Sequence, residues 1–225
     1  MIQKLVTGQP SAGYVQRVAT VFKNNGSGVR GDMKAVVTAI LTDIEARGAA
    51  KYEPSYGHLN EPVLMVTGLA RALSAKTDGY AFYNSGNAMA QGIFSAPSVF
   101  NYYPPDYVIS SSGVTSPEFG IFNSTTALSR VNYANSTLYG TIPVSTALYG
   151  ATGTQFDWTP YTSIASDSNA LLNRINEVMF SGKLTATTRA VIKTAVDAVP
   201  VSDPTGRART ALYLSIAAPE AQIVR

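Results

Sequence analysis

Asp32-Met33-Lys34-Ala35-Val36-Val37-Thr38-Ala39-Ile40-Leu41-Thr42-Asp43-Ile44 is the stretch that decides the fold class. Met33, Val36, Val37, Ile40, Leu41 and Ile44 recur at i, i+3, i+4, i+7, i+8 and i+11, one face of a helix and not the alternation of a strand. Asp32 stands where an N-cap belongs, its carboxylate placed to accept from the open N–H groups of the first turn. The spacing predicts a helix from Asp32 to about Arg47-Gly48.

Similar periods lie on both sides. Upstream, Ser11 caps a helix whose Tyr14, Val15, Val18, Val21 and Phe22 share a face, stopped by Asn24-Asn25-Gly26-Ser27-Gly28. Downstream, Asn60-Glu61-Pro62 opens a helix that buries Val66, Leu69, Ala70 and Leu73, and Ser116-Pro117 opens another through about Tyr139. Asp167 caps Leu171, Leu172, Ile175, Val178 and Met179 as far as Gly182. Thr185 or Thr187 begins a helix with Val191, Ile192, Ala195 and Val199 inward, and Asp203-Pro204 starts the last, with Ala208, Ala211, Leu212 and Ser215. Strand signals are weak, although Tyr107-Val108-Ile109 is a short piece able to pair. The expectation is an all-α fold: one helical domain over 1–225, about seven helices, and two long irregular loops at about 78–115 and 140–166.

The first loop is the chemically pointed one. Phe94, Phe100, Tyr102, Tyr103 and Tyr107 crowd around Pro97, Pro104 and Pro105. Long loops in compact domains tend to carry function or act as lids. Phe94, Val99 and Phe100 read best as anchors sealing the loop, since each buried ring removes about 150–250 Å² from water. For Tyr102, Tyr103 and Tyr107 a binding surface is as good a reading, because their hydroxyls suit a half-wet position.

Composition narrows the classes. Of 225 residues 45% are hydrophobic and only 14% charged, so the chain folds and its surface is polar but uncharged. The net charge of +3 comes from scattered basic residues, which lack the stripe that nucleic acid requires. Without cysteine there is no disulfide or thiolate metal site, and with one histidine a zinc site would rest almost wholly on carboxylates. No D-x-D-x-D-G calcium loop occurs, no cofactor is indicated, and no window approaches the ~20 apolar residues of a membrane span. The opening Met1-Ile2-Gln3-Lys4-Leu5-Val6 lacks the apolar core of a signal peptide, which points to the cytoplasm if the chain is made as written.

Each candidate site has a plain counterpart. Gly26-x-Gly28-x-x-Gly31 matches a dinucleotide fingerprint in letters, but a helix precedes it where a strand is required, so it reads as a turn between helices. His58, the single histidine, offers a base to the hydroxyls of Ser95 and Ser98, yet no G-x-S-x-G elbow accompanies it. Asp106 and Glu118 border the tyrosine-rich loop and have the residue types of a glycosidase pair, which needs two carboxyl groups about 5–9 Å apart. Against that, Glu118 at the second helical position gains about 0.3–1 kcal/mol from the helix dipole, and Glu61 before Pro62 shares the explanation.

The ordered blocks Gly26-Ser27-Gly28-Val29-Arg30-Gly31-Asp32-Met33-Lys34-Ala35-Val36, Glu61-Pro62-Val63-Leu64, Ser95 to Tyr103, and Ser116-Pro117-Glu118-Phe119 resemble the C-terminal portion of a bacterial domain-of-unknown-function family, the one numbered 1800. The closing Ala217-Ala218-Pro219-Glu220-Ala221-Gln222 is similar to that family's usual end. The resemblance implies an exported protein of about twice this length, periplasmic or extracellular, often encoded beside a sulfatase-like protein, and of no established reaction. A missing N-terminal half would leave apolar surface exposed and favour a homodimer. Two functional expectations follow: a helical module that binds a partner protein or glycan through the aromatic loop, or a hydrolase, a glycosidase using Asp106 and Glu118 before an esterase.

Overall fold

In the computed structural model, which describes residues 1–53, 55–142 and 144–224, helices hold 55% of the chain and strands 6%, so the fold is all-α. Along the chain run α1 (Ile2–Leu5), α2 (Ala12–Lys23), α3 (Met33–Thr42), α4 (Ile44–Arg47), β1 (His58–Leu59) and α5 (Pro62–Ala72). Then come β2 (Lys76–Thr77), α6 (Tyr80–Ser85), β3 (Val108–Ile109), β4 (Val114–Thr115) and α7 (Ser124–Tyr139). Last are β5 (Thr154–Gln155), α8 (Thr159–Thr162), α9 (Ser168–Phe180), α10 (Ala186–Asp197), α11 (Pro204–Ala217) and β6 (Ile223–Val224). α2, α3, α5, α7, α9, α10 and α11 are the seven helices that the periodicity predicts; α4 falls within the span predicted to run to Arg47, α6 is a short helix inside the first long loop, and α1 and α8 are single turns that the periodicity does not predict.

The chain forms two compact units. One takes Met1–Leu59, Tyr103–Gly120 and the end from Ile223; the other takes Asn60–Tyr102 and Ile121–Gln222. In the first, α2 and α3 bury Tyr14, Val18, Val36 and Ile40 together with Ile2. Their caps are the expected ones: Ser11 accepts from Tyr14 N and Asp32 from Ala35 N. Such caps are worth about 1 kcal/mol each. Between the two helices, Asn24 Oδ1 accepts from Gly26 N and Gly28 N, both at 2.9 Å. The glycine-rich stretch is therefore a helix–helix turn whose N–H groups are already engaged, not a phosphate cradle.

The long predicted helix stops early, at Asp43. Its extended backbone ends α3, its side chain accepts from Glu45 N to start α4, and Arg17 Nε and Nη2 grip both its oxygens at 2.7 Å. That guanidinium holds the Asp43 carboxyl below its usual range. Ile44, beyond the break, is 74% exposed and leaves the apolar stripe.

In the second unit α5, α7, α9, α10 and α11 enclose one core, with Leu69, Leu138, Leu171, Leu172, Ile175 and Leu212 almost wholly buried. Burying each such side chain stabilises by about 1.5–3 kcal/mol. Val191 is exposed while Ile192 and Val196, one turn apart on the same face, point inward. Two irregular segments are stitched here. β2 and β5 pair antiparallel, and Asp78 Oδ2 accepts from Thr152 N and Gly153 N at 3.0 and 2.8 Å. The helix expected from Pro117 begins instead at Ser124. Asn123 forms a capping box with Thr126, and Pro117–Ile121 is a separate 3-10 turn.

Candidate functional site

The aromatic segment divides differently from the sequence reading. Phe94, Val99 and Phe100, expected as anchors, are 97%, 95% and 76% exposed. The loop holds them there through its own polar groups. Tyr102 is half-buried, its hydroxyl donating to the Gly92 carbonyl and accepting from Ser95 N. Ser98 Oγ accepts from Phe100 N at 3.1 Å, and Asn101 N donates back to the Ser98 carbonyl. Phe94 and Asn101 both lie in the left-handed region, at φ 57° and 78°. That conformation is uncommon for a bulky residue such as phenylalanine, so the loop fixes its tip at some cost.

The first unit places the other tyrosines. Tyr103 is buried and accepts from Lys4 Nζ. A Cβ on Gly120 would stand 2.9 Å from Tyr103 Cβ, so this glycine is required by close approach. Tyr107 stays 38% exposed, and its carbonyl accepts from Ser116 N. Asp106 is exposed on the turn after Pro104-Pro105. Glu118 is 1% exposed. It sits in the 3-10 turn and not at the start of an α-helix, so the helix-dipole account of this residue does not hold.

What Glu118 meets is His58. Its Oε1 lies 3.8 Å from His58 Nδ1, and both side chains are buried. The histidine is placed by β1, which pairs antiparallel with β6 in the register His58↔Val224. Thr7 and Gly8 fasten the preceding Gly57 from both sides: Gly57 N donates to Thr7 Oγ1, and Gly8 N donates to the Gly57 carbonyl. Gly8 also fits directly against Ser116, since an added Cβ would lie 3.2 Å from Ser116 Cα. Ser116 and Phe119 flank Glu118 in sequence, and with His58 they line a pocket of about 360 Å³. The remaining walls are largely apolar: Tyr56, Leu59, Ile109, Val114 and Ile223, with Ser112 at the β3–β4 hairpin.

The tautomer of His58 follows from its surroundings. Nδ1 is 3.2 Å from the Leu59 carbonyl, which can only accept. Nδ1 is therefore the ring's donor to that carbonyl, which leaves Nε2 as the nitrogen available to act as a base when the ring carries a single proton. The Glu118 carboxylate lies on the same side, beyond hydrogen-bond reach at 3.8 Å. The sequence shows each of these residues separately; sixty positions separate them, and no local pattern signals the pairing.

Glu61, by contrast, belongs to a structural network. Gln91 Nε2 donates to its carboxylate, while Arg130 Nη1 donates to the Asn60 carbonyl at 2.6 Å and to Gln222 Oε1 at 3.2 Å. Burial pushes the Arg130 guanidinium down to about 10, with the Glu61 charge opposing. Asp157 accepts from Thr159 N as a local cap, and the Thr159 hydrogen bonds keep its carboxyl below its usual range. Among the described residues no group of three or more His, Asp or Glu is arranged to hold a metal, and no helix is long and apolar enough to cross a membrane.

No curated protein and no solved structure matches this chain. One family model does, over residues 1–223, described as a protein of unknown function (DUF1800). With essentially the whole sequence inside that match, the chain belongs to the DUF1800 family.

Proposed function

We propose that the chain is a single helical domain that docks a partner protein through its aromatic loop, and that Phe94, Val99 and Phe100 are the contact. The observation that carries this is their near-complete exposure on a loop whose backbone is fixed by its own hydrogen bonds. Apolar side chains held in water raise the free energy of the free protein relative to a docked one, and aromatic anchors dominate protein interfaces. Tyr102 serves as the strut, and Tyr107 is the tyrosine of the three with most of its ring open to solvent. The partner implied by the family likeness is the sulfatase-like protein often encoded beside family members, and an exported chain would meet it outside the cytoplasm.

The test is titration of that purified sulfatase-like protein with wild type and with Phe94→Ser, Val99→Ser and Phe100→Ser. Each exposed residue that becomes buried contributes about 1.5–3 kcal/mol, so each substitution lowers affinity roughly 10- to 100-fold. Equal affinity in all three variants refutes the docking surface. Binding of soluble glycans alone, or self-association of the chain through the tip, refutes the choice of partner.

A second reading, hydrolysis of glycosides by Asp106 and Glu118, draws on one observation, the near-complete burial of Glu118, an environment in which a carboxyl can serve as a general acid. Chromogenic glycosides with Asp106→Asn and Glu118→Gln test it, and activity unchanged in both variants removes it.

A further inference from the structure

The pocket of the first unit has the parts of an acyl-hydrolysis site, a conclusion that rests on neither reading above. An imidazole on a mostly apolar wall, backed by a buried carboxylate, is the arrangement that keeps one ring nitrogen protonated and the other basic. Here Nδ1 faces the Leu59 carbonyl at 3.2 Å and Glu118 Oε1 at 3.8 Å. Glu118 is absent from the pocket lining, whereas His58 is part of it. The carboxylate is thus near the Nδ1 side of the ring, and the ring, not the carboxylate, borders the space a ligand would fill.

The volume, about 360 Å³, lies at the small end of the ~300–1,000 Å³ of ligand pockets. Leu59, Ile109, Val114, Phe119 and Ile223 give it the walls for a short hydrocarbon group. Ser112 and Ser116 add the few polar atoms that such a site needs to fix a carbonyl.

We propose that this pocket hydrolyses esters of short apolar acids, with His58 as catalytic general base and Glu118 as its positioning residue. Water attacks the acyl carbon as His58 Nε2 takes a proton from it. The carbon–oxygen bond to the alcohol then breaks, and the same proton passes from Nε2 to the departing alkoxide. One ester and one water give one carboxylic acid and one alcohol, with no oxidant, reductant or further reactant.

The experiment is hydrolysis of para-nitrophenyl butyrate by the full chain, compared with buffer and with free imidazole. Wild type is expected to exceed both, and a rate equal to imidazole overturns the proposal. General-base catalysis is worth about 10²- to 10⁴-fold, so His58→Gln lowers kcat by at least about 100-fold. Glu118→Gln lowers kcat about 10- to 100-fold with KM unchanged, because the carboxylate does not line the pocket, and Glu118→Asp restores part of the loss. Loss confined to KM, or none in His58→Gln, overturns it.

A measurement on wild type guards against variants that fail to fold. His58 is the only histidine, so its ring Cε1–H gives one unambiguous ¹³C–¹H signal. Butanamide, the unreactive amide of the same acid, is expected to shift that signal in a saturable way. No shift at any concentration overturns the site.

Discussion

Arg207→Met tests the packing of the second unit at its most connected polar residue. The Arg207 guanidinium is buried at 3% exposure. Nε donates to the Ala165 carbonyl at 2.5 Å, and Nη1 donates to the Val196 and Val199 carbonyls at 2.9 and 2.7 Å. The Val196 carbonyl, at the end of α10, also accepts from Val199 N at 3.1 Å, whereas Val199 lies beyond the helix end. Methionine keeps the bulk of the stem and removes every donor, so the Ala165 and Val199 carbonyls lose their bond at once while that of Val196 keeps its backbone partner. A buried acceptor left unsatisfied costs about 1–3 kcal/mol. Methionine's apolar contacts offset part of this, giving a net loss of about 3–5 kcal/mol. The ion pair with Asp197 adds little, since that carboxylate is 43% exposed and the contact is 3.4 Å. In urea titration the midpoint should fall at constant slope. In thermal melting the drop should be about 6–20 °C, at roughly 2–4 °C per kcal/mol for a chain of this size. Arg207→Lys retains the charge without the planar fork and should fall between. A loss below about 1 kcal/mol in Arg207→Met would show that water or a shifted helix end satisfies those carbonyls, and would refute the reasoning.

Two further perturbations probe the first unit. Gly120→Ala should destabilise by about 1–3 kcal/mol, because its methyl would meet the base of the Tyr103 side chain at 2.9 Å; unchanged melting would mean the turn yields freely. The Arg17–Asp43 pair should make stability fall in acid. Arg17 lowers the folded-state pKa of Asp43, so the contribution is full above the unfolded carboxyl value and is lost as pH drops through the lower folded one. Arg17→Gln should flatten that acid limb, and an identical limb in both proteins would assign the pH dependence elsewhere.

The sequence by itself determined the helices. Val36 and Ile40, Leu171, Leu172 and Ile175, and Ala208, Ala211 and Leu212 repeat with the helical period, and Ser11, Asp32, Asp167, Thr185 and Asp203 each cap the helix they precede. Periodicity and capping are local, so they are readable from residues three or four apart. The family likeness was legible for the same reason, as ordered local blocks. Only the tertiary structure decided where Phe94, Val99 and Phe100 stand. A loop without period gives no sign of which side faces solvent, and hydrophobicity alone favoured burial. Only the fold brought Glu118 near His58: strand β1 and the 3-10 turn at 117–121 are each too short to announce their position, and long-range packing sets their distance.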